Sequence, residues 1–292
     1  MAVTLKEVAE LAGVSRSAVS RTFTKGASVS SKTRKKVEEA ANKLGYRPNF
    51  LASSLTTRRT KLIGLVSDNF SNPIFLRVFD LFTQSIQRNG YRPLLVNLSG
   101  ATDRKQALSM LQQYSVDAVV VASSTLPPDF AVAFRAAGIP VVHSFGRYSE
   151  KPNVQIVGID NQHCGRLAAE TLIRKGYDHV GFLGGPEEAT STQDRLRGFA
   201  SALAEHPEVR LSTSFAKAYS FDAGRNEMLR LLEAEPAQAY FCGDDVLSIG
   251  ALGAIKAQNL KVPEDVGVIG LNDMEMSGWD NFDLTSIHQP ID

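Results

Sequence analysis

With 292 residues, 43% hydrophobic and 22% charged, the chain is too long for one minimal domain and too evenly mixed for a disordered one, so two or three folded units are expected. No stretch approaches the roughly 18 apolar residues of a membrane helix, and Met1 to Glu10 carries acids without the apolar core of a secretory signal, which makes the cytoplasm the expected compartment. The net charge of +1 conceals an asymmetry: residues 1–61 sum to +9 and the remainder to −8, either a basic head that meets phosphates on an acidic body or a solvated basic surface.

In chain order, Thr4 is placed to cap a first helix with Leu5, Val8, Ala9 and Ala12 on one apolar face. Gly13 breaks that pattern for a tight turn. Ser15 caps a second helix carrying Ala18, Val19 and Phe23. Either Ser30 or Ser31 caps a third, with Val37, Ala40, Ala41 and Leu44 inward, closed by Gly45 and followed by Pro48. Helix, glycine turn, helix and supporting helix make a helix-turn-helix layout. The second helix would enter the major groove with Arg16 and Ser17 against base edges and Arg21 further along the same face. Arginine takes guanine through two parallel hydrogen bonds, so Arg16 and Arg21 are the expected sequence readers; for Arg16 a solvated surface charge is the alternative. Thr4, Ser15, Ser20, Ser31 and Lys32 suit phosphate contacts, which position without specifying; Ser15 can cap its helix at the same time. Pro48 stops the third helix, and Asn49 caps a short hinge helix with Leu51, Ala52 and Leu55, too short to stand alone. Arg58 and Arg59 close the hinge, either touching phosphates or keeping the linker soluble.

The stretch VTLKEVAELAGVSRSAVSRTF and then VSSKTRKKVEEAANKLGYRPNFLASSL resembles the head of the lactose/galactose repressor family, without a gap from Val3 to about Lys61. The resemblance implies that Arg16, Ser17 and Arg21 sit where the family reads its operator, a double-stranded inverted repeat. It implies that the hinge orders on DNA against that of a dimer mate, with Asn49 and Leu55 as its DNA-binding residues. Leu55 would wedge into the minor groove and kink the duplex, as architectural proteins do; packing on its own linker is the alternative.

From Leu62 the pattern changes to short apolar runs alternating with helical stretches. Strands are expected at 62–66, 93–98, 118–122, 140–144, 156–159, 179–183, 239–242, 266–270 and 284–287. Helices are expected at 74–89, 104–114, 129–137, 164–175, 194–206, 223–233 and 245–258. That alternation argues for α/β architecture, parallel sheets with helices on both faces. SNPIF (71–75), AAGIPVV (136–142), GYDHVGFLGGP (176–186), RLRGF (195–199), CGDDVLSIGA (242–251), VPEDVGVIGLND (262–273) and LTSIHQP (284–290) extend the resemblance almost end to end.

The resemblance implies an all-α helix-turn-helix head at 1–48, a hinge at 49–60, and a bilobal body like a periplasmic binding protein, with parallel-sheet lobes at 61–160 and 161–290. A small effector would sit between the lobes, among Ile74, Phe75, Ser124, Phe145, Asp160, Ser191, Arg195, Tyr219, Asp244, Asn272 and Gln289. The chemistry suits a sugar, sugar acid or sugar phosphate: Arg195 offers a fixed donor fork, Asp160, Asp244 and Asn272 pair with hydroxyls, and Phe75, Phe145 and Tyr219 offer flat apolar faces. The aromatics are otherwise core, Asp244 or Asp245 caps the following helix, and Arg195 otherwise pairs with Asp194 or Glu188 at the surface. Asn272 stands where many members carry Asp, and Ala189 where the purine-responsive branch carries a ligand-binding Arg, which argues against a purine.

Members also usually extend past Gln289, crossing back through both lobes. Their lack here, whether in a fragment or in the protein itself, would leave sheet edges and apolar surface uncovered. The five histidines show no metal-protease or nucleophile-elbow spacing and there is no phosphate-binding Walker loop, so catalysis, a cofactor and a metal are not expected. Cys164 and Cys242 read as small buried or half-buried side chains. The expected protein is therefore a nucleoid-associated regulator, a homodimer or tetramer with no membrane partner. The rival readings are a solute-binding protein without a DNA role and a regulator controlled by a protein partner.

Overall fold

The computed structural model describes residues 3–24, 26–48, 54, 59–99, 104–147 and 153–292, in two compact units, 1–60 and 61–292. The expected hinge residues Asn49 and Leu55 lie outside the described residues.

The first unit holds α1 (Leu5–Ala12), α2 (Arg16–Phe23) and α3 (Ser31–Leu44). A reciprocal capping box starts α1: Thr4 Oγ1 accepts from the Glu7 amide at 3.4 Å, and Glu7 Oε2 accepts from the Thr4 amide at 2.7 Å. Those bonds hold the Glu7 carboxyl below its ordinary range. Gly13 ends α1 and Gly45 ends α3 at φ of 61° and 69°, a left-handed turn that costs glycine nothing. Of the two candidate caps for α3 it is Ser30 that accepts, from the Thr33 amide at 3.2 Å. Val8, Ala9, Ala12, Val19, Val37, Ala40, Ala41 and Tyr46 form the core. Phe23 is left at its margin, tilted against Tyr46 at 5.8 Å, because Thr22 takes the inward position and bonds back to the Ala18 carbonyl at 2.9 Å.

The second unit has two five-stranded parallel sheets. The first contains β1 (Leu62–Ser67), β2 (Arg92–Asn97), β3 (Ala118–Ala122), β4 (Val141–Ser144) and β5 (Gln155–Val157), with α4 (Ile74–Arg88), α5 (Arg104–Gln113) and α6 (Pro128–Ala136) between them. The second contains β6 (His179–Gly184), β7 (Arg210–Phe215), β8 (Ala239–Cys242), β9 (Gly267–Asn272) and β10 (Ser286–His288). Its helices are α7 (Asn161–Arg174), α8 (Thr190–Leu203), α9 (Phe221–Leu232) and α10 (Asp245–Ala257). The orders are β2-β1-β3-β4-β5 and β7-β6-β8-β9-β10: counted from its own first strand, each sheet runs 2-1-3-4-5.

Two differences from the sequence expectation have physical causes. Strand β7 was not expected because RLSTSF carries three hydroxyl residues in a row; it is an edge strand, half solvated, pairing only with β6. Helices α7 and α8 begin at Asn161 and Thr190, earlier than the apolar periodicity alone requires, because their first turns face the crevice described below and are polar. Both cysteines are buried, and burial pushes the Cys242 thiol up to about 12.

Helix packing in the second lobe rests on glycines at close approach. A Cβ on Gly165 of α7 would fall 2.0 Å from the Arg195 carbonyl oxygen, and one on Gly198 of α8 would fall 1.9 Å from that of Gln162. Gly224 and Gly250 make the same reciprocal contact between α9 and α10, at 2.5 Å from Leu247 O and 2.3 Å from Phe221 O. Beside α4, a groove of about 870 Å³ carries Leu76, Met276, Trp279 and Ile291, where Leu76 and Trp279 are exposed.

Candidate functional site

On the first unit, Arg16, Ser17, Ser20 and Arg21 are all exposed, while Val19 and Thr22 of the same helix are buried. Spacings of four residues place them along one stripe of α2. Ser15 accepts from the Ala18 amide at 3.2 Å, so it caps α2 and sits beside Ser17 Oγ at 2.9 Å. Ser31 and Lys32 are exposed in the first turn of α3. Thr4 is exposed too, but its hydroxyl is engaged with Glu7 Oε2 at 2.7 Å. Arg34 Nη1 donates to the Thr22 carbonyl at 2.8 Å, which ties α3 to the end of α2 and fixes the stripe.

On the second unit, a 2-1-3-4-5 parallel sheet opens a crevice beyond the carboxyl ends of its strands, where successive connections leave to opposite faces. Both lobes turn this edge to the same crevice. The first lobe contributes Asn72 after β1, Ile74 and Phe75 at the start of α4, Ser124 after β3, Phe145 after β4, and Ile159 after β5. The second contributes Asn161 at the start of α7, Ser191 and Arg195 on α8, Asp244 after β8, Asn272 at the end of β9 and Gln289 after β10. The cavity is only about 20 Å³, room for about one water.

Two of the expected effector residues stand outside this lining. Asp160 is the cap of α7: its Oδ1 accepts from the amides of Gln162 and His163, both at 3.0 Å. The adjacent Asn161 is the residue that reaches the crevice. Tyr219 lies behind the wall, with its hydroxyl against Ser191 Oγ at 3.0 Å and Thr192 Oγ1 at 2.7 Å. It therefore positions Ser191 from behind. Asn72, Ile159 and Asn161 were missed. The signal for Asn72 was an Asx residue before Pro-Ile at a helix start; its Oδ1 accepts from the Ile74 amide at 3.2 Å.

Arg195 is 6% exposed and is not a surface residue. Its Nε donates to Asn161 Oδ1 at 2.8 Å and its Nη1 to the Gly243 carbonyl. Asp244 is 4% exposed and both faces the crevice and caps α10, accepting from Val246 N at 2.9 Å. Its Oδ2 accepts from Asn72 Nδ2 at 2.9 Å and Asn272 Nδ2 at 3.0 Å. Burial pushes the Asp244 carboxyl up, against the pull of Arg195 and these donors. Phe75 and Phe145 pack together on the first-lobe wall of the crevice, with centroids 5.3 Å apart. Phe145 and Asn272 hold φ of 67° and 127°, conformations that cost side-chain-bearing residues about 1–3 kcal/mol and gather at ligand sites.

Asp245 stands behind Asp244. Its Oδ1 accepts from Ser286 Oγ at 2.6 Å and its Oδ2 from the Met274 amide at 2.8 Å, which pins the loop that carries Asn272. Burial pushes its carboxyl from 3.8 up to about 6. A raised carboxyl favours the protonated native state, so its contribution is intact below pH 4, falls as the unfolded chain ionises first, and is spent above pH 6. Asp245→Asn should remove this decline. Relative to the parent, it should gain roughly 3 kcal/mol between pH 4 and pH 6.5 in denaturant unfolding. Parallel pH profiles for the two proteins would show that Asp245 is not the cause.

Compared with known proteins, residues 60–290 match the family described as periplasmic binding proteins and sugar binding domain of LacI family, and residues 4–49 match bacterial regulatory proteins, lacI family. The HTH-type transcriptional repressor PurR of Aliivibrio fischeri is 31% identical over 295 residues, covering 98% of this chain and 87% of that protein. The Lac repressor dimer bound to operator and the anti-inducer ONPF superposes with a TM-score of 0.88 at 25% identity, over 100% of this chain and 88% of that one. The complex of the transcriptional regulator CelR with cellobiose gives a TM-score of 0.71 at 29% identity, over 99% of this chain and 88% of that one.

Proposed function

Since the chain belongs to the LacI family of bacterial regulatory proteins, DNA-binding regulators with an effector domain, we propose that it is a cytoplasmic homodimeric repressor whose hold on an inverted-repeat operator is set by a neutral, sugar-like effector. The composition of the crevice carries the effector reading. Among the described residues, its only charged lining residues are Arg195 and Asp244, which cancel. An anionic effector would meet Asp244 while Arg195 already donates to Asn161 and Gly243. A neutral polyol uses both signs: its hydroxyls donate to Asp244 and accept from Arg195, Asn161, Asn272 and Gln289, while Phe75 and Phe145 cover its apolar faces. Ala189, buried and apolar, offers no cation to a purine. The effector acts by binding one arrangement of the lobes better than the other.

Arg16 and Arg21 are the base readers in this proposal, with Ser17 beside Arg16 against the base edges, and Ser20, Ser31 and Lys32 position the head on the backbone. Operator binding followed by fluorescence anisotropy across a salt series tests both roles. Arg16→Ala should cost about 1–3 kcal/mol on the operator and little on random DNA. Lys32→Ala should weaken both equally and flatten the salt slope by about one. Equal losses on both DNAs for Arg16→Ala would remove it from base readout. A thermal-shift panel of cellobiose, other neutral sugars, sugar phosphates and purine bases tests the effector. Stabilisation by a phosphate or a purine, with none by neutral sugars, would overturn the neutral-polyol reading.

A further inference from the structure

Helix α2 is held at its two ends by different partners. At its amino end Ser15 Oγ accepts from the Ala18 amide at 3.2 Å, just ahead of Arg16. At its carboxyl end the last four carbonyls belong to Ser20, Arg21, Thr22 and Phe23, and no further helical turn follows to pair them. Thr24 takes two of them: its Oγ1 donates to the Ser20 carbonyl at 2.9 Å, and its amide to that of Arg21 at 3.2 Å. The Thr22 carbonyl is reached from another helix, by Arg34 Nη1 of α3 at 2.8 Å. Thr22 is 4% exposed, so its carbonyl depends on a partner from the protein rather than from water.

Arg34 is out of pattern on its own helix. Val37 and Ala41, three and seven positions on, are buried in the core of the head, which places Arg34 on the core-facing side of the first turn of α3. An apolar residue is the expected occupant of that side. Instead a half-buried guanidinium crosses to α2, and it brings a cation to a helix end that carries partial negative charge. Lys32, Lys35 and Lys36 of the same helix are exposed by contrast.

We propose that Arg34 is a positioning residue for base readout, acting through the Thr22 carbonyl to hold the last turn of α2, on which Arg21 stands. This rests on reading Arg16 and Arg21 as the base readers. Helix α2 has eight residues, a length that does not stand alone in water. Loss of a cap therefore frays its last turn, and Arg21 goes with it. Arg16, beside the Ser15 cap, keeps its support. A two-bond contact to a base tolerates little displacement of the donor fork. The brace is thus felt at the base pair that Arg21 reads and not at that of Arg16.

Two measurements on the full chain test this, with Arg34→Met, Arg34→Lys, Arg16→Ala and Arg21→Ala beside the parent. In hydrogen–deuterium exchange without DNA, Arg34→Met should speed the amides at 20–24 about tenfold, while those at 8–12 and 37–44 keep their protection. The second uses the duplex that the parent selects from a randomised pool, its single-base variants and random DNA, each titrated by anisotropy. Arg16→Ala and Arg21→Ala mark the base pair that each reads. Arg34→Met should lose on the order of tenfold in preference at the Arg21 pair and keep that at the Arg16 pair. Its affinity for random DNA should stay within about twofold, with the salt slope of the parent. Arg34→Lys, which keeps one donor for one acceptor, should restore the parent profile. Equal losses on selected and random DNA, with a slope flatter by about one, would make Arg34 a phosphate contact and overturn the proposal. Unchanged exchange at 20–24 or unchanged preference overturns it too. If Arg34→Met loses protection throughout the head, Arg34→Lys decides: rescue, or a loss confined to the Arg21 pair, supports the brace, and loss at both pairs sinks it. No altered preference in Arg21→Ala would fail the reader assignment and the brace together; altered preference there, with none in Arg34→Met, fails the brace alone.

Discussion

Gly198→Ala is expected to lower the melting temperature by on the order of 10 °C or more, or to prevent the second lobe from folding. The added Cβ would lie 1.9 Å from the Gln162 carbonyl oxygen and 2.8 Å from Gln162 Cα, both backbone atoms that no rotamer change can move. Relief requires α7 and α8 to separate. That opens the core shared by Cys164, Ala168, Phe199 and Phe182 and pulls Arg195 away from Asn161. The loss of close packing and burial should cost about 3 kcal/mol or more, against a helix-propensity gain of about 1 kcal/mol for Ala over Gly. Gly165→Ala should behave alike, since it meets the same crossing from the other side. Gly253→Ala is the control. Its Cβ would come no nearer than 3.3 Å, and only to the Phe221 ring, so it should be neutral or slightly stabilising. Thermal melts followed by circular dichroism decide the matter: a Gly198→Ala protein that melts with the parent would mean that the helices are not in fact this close.

The second large effect is functional. Arg195→Ala should abolish the effector response while operator affinity in the absence of effector stays within about twofold of the parent. Arg195 joins α8 to the start of α7 through Asn161 and to the turn after β8 through Gly243, and it faces the crevice from the second lobe. Its removal leaves the Asn161 and Gly243 oxygens short of a donor as well as removing a donor from the effector. Lysine cannot restore this, because a single ammonium cannot span two acceptors held by a planar fork, so Arg195→Lys should fail as well. Anisotropy titrations of operator, with and without the sugar that the thermal-shift panel selects, provide the readout. A retained response in Arg195→Ala would remove it from the site.

How far the sequence could be read depended on whether one residue had one job. Strands such as β3, β6 and β8 are continuous apolar runs because both their faces are covered, and they were legible at once. Strand β7 was illegible because an edge strand with Ser212, Thr213 and Ser214 looks like a loop to any search for apolar runs. In the crevice, Arg195 and Gln289 were named only through the resemblance, and for Arg195 a surface pairing with Asp194 or Glu188 stood as the alternative until its burial was seen. Asp160 and Asn161 were not separable. Both are Asx residues at a helix start, and only the backbone decides that the first caps and the second faces the crevice. Asp244 and Asp245 posed the same problem and were resolved differently. There the cap itself lines the crevice, and its neighbour turns inward to Ser286 and the Met274 amide. Asn72 was hidden because its partner is 172 positions away in the chain.

The repeated 2-1-3-4-5 order has a consequence for the field inside the crevice. In each parallel sheet the helix after a strand begins at that strand's carboxyl end, so both lobes aim helix beginnings at the same place. Ile74 opens α4, Asn161 opens α7, Ser191 lies in the first turn of α8, and Asp244 caps α10; all four line the crevice. Each such beginning carries a partial positive charge of about half a unit from its aligned peptide dipoles. A space whose charged side chains cancel is thus electropositive through its backbone. Asp244 and Asp160 offset part of that potential at α10 and α7; the first amide of α4 meets only the neutral Asn72 Oδ1. The attraction for oxygen-rich guests is therefore built into the chain path. Exchanging lining side chains can change which guest fits, while the backbone goes on drawing lone pairs inward.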